Sequence, residues 1–167
     1  AISGDYVLVG AILHDTPAGN GGGVFVFDAT DGSLLRKLIP SDLAGGDTIG
    51  DDIAVSGNYA IVGAPKNDDA GSNSGSAYIF DITDGTQVRK LVASDAASAD
   101  SFGFAVGISG NYAVVGAYND DDGGNSSGSI YVYDITDGTE LFKAVASDGA
   151  ADDFFGYALG ISGNNIL

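Results

Sequence analysis

The sequence holds no cysteine, no methionine and no tryptophan, and only six lysines and arginines in 167 residues. Without cysteine, no disulfide contributes to stability and the redox compartment leaves no trace. No apolar run approaches the roughly 20 residues that cross a bilayer as a helix, and no stretch carries helical periodicity. Glutamate is nearly missing as well, with Glu140 alone beside 22 aspartates. Short carboxylates without long ones mark turns and loops, where they accept nearby backbone N–H groups. The formal net charge of −17 repels nucleic acid and anionic membranes. Neither is therefore expected as a partner. Such a surface suits a secreted or cell-surface protein, a high-salt setting, or a cation binder.

Glycine and repetition are what the chain has in excess. Among its 27 glycines, Ser3-Gly4, Ser56-Gly57, Ser109-Gly110 and Ser162-Gly163 recur every 53 residues. The first three are followed by Asp or Asn, then Tyr, then an apolar run ending Val-Gly-Ala. A period this regular sets the architecture before any local feature does. The opening ISGDYVL and the closing ISGNNIL share one phase, as expected of a window from a longer chain. The whole of 1–167 reads as one segment, with repeats at 2–54, 55–107 and 108–160 and a fourth beginning at 161–167.

In the third repeat, Phe102 to Ser109 alternates large and small residues, the period of a strand. Gly110-Asn111 gives a tight turn, and Tyr112 to Ala117 the second strand. A polar loop follows, 118–127. Gly128 to Asp134, rich in aromatic and β-branched residues, gives the third strand. Thr136-Asp137-Gly138 turns the chain, and Glu140 to Ala146 forms the fourth strand. Four short antiparallel strands per repeat predict an all-β meander. A lone four-stranded sheet has two faces to cover and two open edges. Stacking such sheets around an axis is the β-propeller solution. Arg36, Lys37, Arg89, Lys90 and Lys143 all fall in the fourth strand, where basic residues would guard an outer edge.

Phe-Gly, a strand, Ser-Gly-Asn, Tyr-x-x-Val-Gly-Ala, an Asp/Gly loop and Gly-Ser-x-Tyr-x-Phe-Asp together resemble FG-GAP repeats, the blades of integrin α-type propellers and of many bacterial surface proteins. The resemblance implies a propeller and, by its adhesive relatives, an extracellular binding role. It also implies calcium held by an Asp-x-Asp/Asn-x-Asp-Gly loop between a blade's first two strands. Here that connection is only Ser3 to Asp5, or Ser109 to Asn111. It is too short for the 6–8 oxygens calcium takes, and is more similar to the bacterial variant of the repeat.

Calcium could instead sit in the loop after the second strand. Asp68 and Asp69, preceded by Asn67, correspond there to Asp120, Asp121 and Asp122; the first repeat has His14, Asp15 and Thr16. The other reading is a solvated Asp/Gly loop. Aspartates common to every repeat read as structural: Asp28, Asp81 and Asp134; Asp31, Asp84 and Asp137; and the pairs Asp42/Asp47, Asp95/Asp100 and Asp148/Asp153. One position departs. Asp51-Asp52 stands where later repeats have Phe104-Ala105 and Tyr157-Ala158. Those carboxylates are expected at a wet axis, a metal or a partner, because burying them would be costly.

Catalysis finds little footing, with His14 the only histidine and no Gly-x-Ser-x-Gly elbow. The expected function is non-enzymatic: an extracellular binding or adhesion module for a protein or glycan. The alternative is a purely structural unit of a surface layer, stalk or filament. Three repeats fall short of the 4–8 blades of closed propellers. Further blades, from the parent chain or from a second copy, are therefore expected partners.

Overall fold

Alternating side chains and glycine turns lay the chain out as short antiparallel strands. A computed structural model describes residues 1–16 and 19–167, and no helix occurs among them. The first sheet comprises β1 (Ile2–Ser3), β2 (Tyr6–Gly10), β3 (Val24–Asp28) and β4 (Leu34–Leu38). The second holds β5 (Ile53–Ser56), β6 (Tyr59–Ala64), β7 (Ser76–Asp81) and β8 (Gln87–Leu91). The third holds β9 (Ala105–Ser109), β10 (Tyr112–Ala117), β11 (Ser129–Asp134) and β12 (Thr139–Ala144). A two-stranded start of a fourth follows, β13 (Ile161–Ser162) and β14 (Asn165–Ile166). Each complete sheet runs in sequence order. These are three propeller blades and half of a fourth.

Local chemistry sets the register. Tyr112 pairs with Ser109, leaving Gly110-Asn111 as the turn. Gly110 has φ 55°, a conformation that side chains resist and glycine adopts freely. One irregularity recurs at the same place in every blade, a register shift at Val26/Phe27, Ile79/Phe80 and Val132/Tyr133. Such shifts increase the twist of the outer strand.

The first strand of a blade is shorter than its alternation predicts. It begins at Ala105, three residues after Phe102, because Gly103 takes φ 90° and breaks the period. Phe102 makes a parallel bridge to Gly75 of the blade before, while the Gly103 N–H donates to Gly116 O at 3.0 Å in the blade after. The Phe-Gly pair is thus a stitch between blades. Phe102 is fully buried, edge-on to Tyr131 and Tyr133 at 5.3 and 6.1 Å. Phe104 diverges from it toward the inner strands.

The core lies between sheets. One cluster joins the first two blades around Val26, Leu38, Val62, Tyr78 and Phe80. Another joins the second and third around Ile79, Leu91, Phe102, Val115 and Tyr131. Burying each such side chain contributes about 1.5–3 kcal/mol. Closest approach occurs near the inner strands, where a Cβ on Gly63 would fall 1.9 Å from Gly103 O. No side chain fits there. The equivalent pairs Gly10/Gly50 and Gly116/Gly156 both give 2.1 Å.

The fourth strands β4, β8 and β12 are the outer edges, as expected, but their basic residues do not simply guard them. Arg36 donates to Ile82 O and Arg89 Nη2 to Thr136 O at 2.8 Å, each in the next blade. These side chains fasten blades together.

Candidate functional site

Two regions collect polar side chains: the outer joint between blades and the mouth of the inner strands. At the outer joint, the fourth strand of one blade faces the loop leaving the blade before it. Gln87 Oε1 accepts both N–H and Oγ–H of Ser41, and Glu140 does the same for Ser94. Lys90 pairs with Asp42 of the preceding blade at 2.6 Å and with Asp69 of its own. Lys143 pairs with Asp95, Asp120 and Asp122 at 2.7, 2.8 and 2.6 Å. The ammonium groups of Lys90 and Lys143 each lie 5.2 Å above a ring centre, Tyr78 and Tyr131 respectively, a cation–π arrangement.

The third-blade cluster is the more elaborate. Tyr131 donates to Asp95 Oδ1 or Asp120 Oδ2, both at 2.8 Å, and Ser129 donates to Asp120 Oδ1 at 2.9 Å. Asp120 is 4% exposed. Burial pushes its carboxyl up, but Lys143, Tyr131 and Ser129 together hold it below the ordinary value. Asp95 follows the same pattern with Lys143 and Tyr131, and Asp42 with Lys90. Burial opposes the charge on Lys143, and its carboxylates more than offset that, raising its pKa. Tyr131 is pushed far up, first by burial and then by the two carboxylates it bonds.

The residues expected to hold calcium divide at these joints. Among the described residues, one group of three acidic side chains, Asp95, Asp120 and Asp122, places its ligand atoms within 4.8 Å of one another. The Lys143 ammonium contacts all three. Asp69 goes to Lys90. Asp68 is not in either cluster; its Oδ1 accepts the Asn73 N–H at 2.7 Å and closes its own loop. Asp121 also lies outside, though its charge acts on Asp100. In the second blade Asn67 stands in place of Asp120 and donates to Asp47 at 3.2 Å. Asp120 cannot do this for Asp100, whose pKa is raised by burial and by Asp120. In the first blade Lys37 Nζ lies 3.3 Å from His14 Nε2, and the His14 ring stands edge-on to Phe25 at 5.0 Å. That histidine belongs to a joint.

Nine of the aspartates shared by all repeats bond within their own turns. Asp28, Asp81 and Asp134 each accept the N–H and hydroxyl of the threonine two residues on. Asp31, Asp84 and Asp137 cap the following turn. Asp47, Asp100 and Asp153 accept an N–H three residues back.

The mouth is built differently. Asp51, Phe104 and Tyr157 occupy one register position in successive repeats. With Asp52, Ala105 and Ala158 they line a cavity of about 280 Å³. Asp52 is pinned between blades, its oxygens accepting the N–H groups of Ile53 at 2.9 Å and Val106 at 2.8 Å. Asp51 has its pKa raised by partial burial and by Asp52, with Lys66 opposing. Phe104 packs on Tyr118 and Tyr157 with ring centres 4.5 and 4.8 Å away, and Tyr118 lies 5.9 Å from Phe154. The sequence singled out Asp51-Asp52 here. It missed the ring cluster, whose signal was aromatic residues at Phe104, Tyr118, Phe154 and Tyr157 where the equivalent earlier positions have Asp51, Pro65 and Ser101.

Stacked four-stranded blades, stitched by Phe-Gly and without a helix, define a β-propeller repeat protein. The chain belongs to the FG-GAP repeat family, which matches it at residues 33–80, 86–133 and 139–167. No curated protein matches it.

Proposed function

We propose that the chain is part of a non-enzymatic, extracellular propeller module that binds a protein or glycan ligand. The supporting observation is the contrast between joint and mouth. At the joint Lys37, Lys90 and Lys143 recur, as do Asp42, Asp95 and Asp148, and Lys90 and Lys143 hold blades together through two of those aspartates, whereas Asp51, Phe104 and Tyr157 differ at one position and line a cavity. Ligand discrimination needs such unlike residues. The single histidine packs edge-on to Phe25 with Lys37 beside it, and among the described residues no hydrogen bond joins it to a serine that nucleophilic catalysis would use. Surface acidity favours an exported or cell-surface setting.

An array of glycans and matrix proteins tests this reading. Saturable retention of one class supports it; uniform silence overturns it in favour of a structural spacer in a layer, stalk or filament.

Two companion readings follow. Lys90 supplies the positive charge beside Asp69, and Lys143 that beside Asp120 and Asp122, so these three aspartates need no calcium. Further blades, of the same chain or of a second copy, cover the outer faces of the arc. Leu141 and Phe142 lie about half exposed in a groove with Val132 and Ile166, a place that the earlier joints fill with a neighbouring blade. Light scattering after size exclusion checks the second point for a 167-residue chain: a stable three-blade monomer would refute it.

A further inference from the structure

We propose that the axial mouth binds one pyranose ring of a neutral glycan, an inference that rests on the binding-module function above. Its walls offer two kinds of contact. Asp51 and Asp52 supply carboxylate oxygens on one side. Phe104 and Tyr157 supply ring surface on the other, with Tyr157 56% exposed. Asp52 is held rigid by two backbone N–H groups. Asp51 receives no hydrogen bond among the described residues, and Lys66 is the one opposite charge acting on it. The site therefore presents carboxylate acceptors beside an apolar face, with the Tyr157 hydroxyl the one side-chain donor among its lining residues. A pyranose complements both, with hydroxyls to donate and a flat C–H face to stack.

Alternatives fit less well. An acidic sugar meets two carboxylates and is repelled. A compact cation is best held by ring faces that surround it, but here the rings pack on one another. Phe104 lies 4.5 Å from Tyr118 and 4.8 Å from Tyr157, and Tyr118 meets Tyr157 edge-on at 5.3 Å. Tilted against one another by 42° to 79°, they make no cage for a cation, and Tyr157 is left with ring surface to stack on. At about 280 Å³ the cavity falls just below the roughly 300 Å³ where pockets for drug-sized ligands begin, room for a single ring.

The fold does not need these aromatics. Ile12 and Pro65 stand where Tyr118 is, and Thr48 and Ser101 where Phe154 is, and the earlier blades assemble without them. Thr48, Ser101 and Phe154 share one left-handed conformation, φ 58°, 58° and 54°, so the turn belongs to the repeat, and only in the last does a ring stand there, reaching Tyr118.

The probes are the methyl glycosides of glucose, galactose and mannose, titrated into the protein and followed by calorimetry and saturation-transfer NMR. One of them should bind with a Kd on the order of 1 mM, the affinity of a few contacts. Tyr157→Ala should weaken binding about tenfold and Asp51→Asn several-fold, equivalent to losing a stacked ring or a charged acceptor. Tyr157→Phe, which keeps the ring, should bind as the parent does. Agmatine should not displace the glycoside. Failure of all three glycosides to bind, unchanged binding by Tyr157→Ala, or displacement by agmatine would overturn the site. If no glycoside binds while the array retains a protein, the pyranose site falls and the binding-module reading stands. Silence in both removes both.

Discussion

The outer joint and the axial mouth each return every 53 residues, yet they obey different rules. At the joint, Lys90 and Lys143 perform one task with equivalent aspartates of the preceding blade, and Gln87 and Glu140 hold the equivalent serines Ser41 and Ser94. At the mouth, one register position is Asp51, then Phe104, then Tyr157, and backbone geometry around it hardly changes. Residues that every blade needs have settled into one chemistry; residues that no blade needs are free to take another. Identity between repeats marks cohesion, and divergence marks a place to look for a ligand.

The adjacent phenylalanines test that contrast most sharply. Phe102→Ala removes a fully buried ring from the joint core and should cost about 3–5 kcal/mol. Phe104→Ala, two residues on and at the mouth, should cost about 1 kcal/mol, as is usual for a partly exposed ring. Chemical denaturation of both variants checks the pair, and equal losses would dissolve the distinction. Lys143→Met comes next. It strands three carboxylates, one of them buried, and should destabilise by about 2 kcal/mol, less than a fully buried pair because the others are solvated. Lys90→Met, which strands only exposed aspartates, should cost about half that on the same principle.

Titration of the joint gives a smaller effect. Asp42, Asp95 and Asp120 are held below their reference value of 3.8. Folded values below unfolded ones mean stabilisation that is present above 3.8 and lost as pH falls through the depressed values. Lys90 and Lys143 are raised above 10.5, so their share is complete below 10.5 and lost as pH rises through the folded values. Thermal midpoints should therefore hold between these limits and fall outside both. Asp51 and Asp100, raised by burial, gain stability on protonation and should soften the onset of the acid limb. Lys143→Met should flatten that limb; an unaltered acid limb would contradict the assignment. The smallest effect expected is none at all. EDTA should leave the midpoint unchanged, whereas stabilisation by added calcium would give the loop aspartates back to a metal.

Much of this was legible because it is local. The span Tyr112 to Ala117 follows from alternation bounded by a glycine turn, and the structure keeps those limits. The aspartate caps could be read for the same reason, since each bonds within three residues. What escaped was long-range. Lys143 meets Asp95 across 48 residues, and only the recurrence of that offset in Lys90 and Asp42 could have joined them. The oxygen cluster was visible as adjacent aspartates, but the ammonium that contacts it comes from another strand. Phe102 was assigned to a strand by its alternation, when Gly103 at positive φ takes it into the joint.

The glycine contact between inner strands has a consequence for how such chains grow. Spacing between blades is fixed by main chain meeting main chain at Gly63 and Gly103, and again at Gly116 and Gly156. A blade added by duplication arrives already fitted to its neighbour, whatever its loops carry. The repeat is therefore a unit of exchange as well as of folding, in which a new mouth residue can be tried without renegotiating the seam.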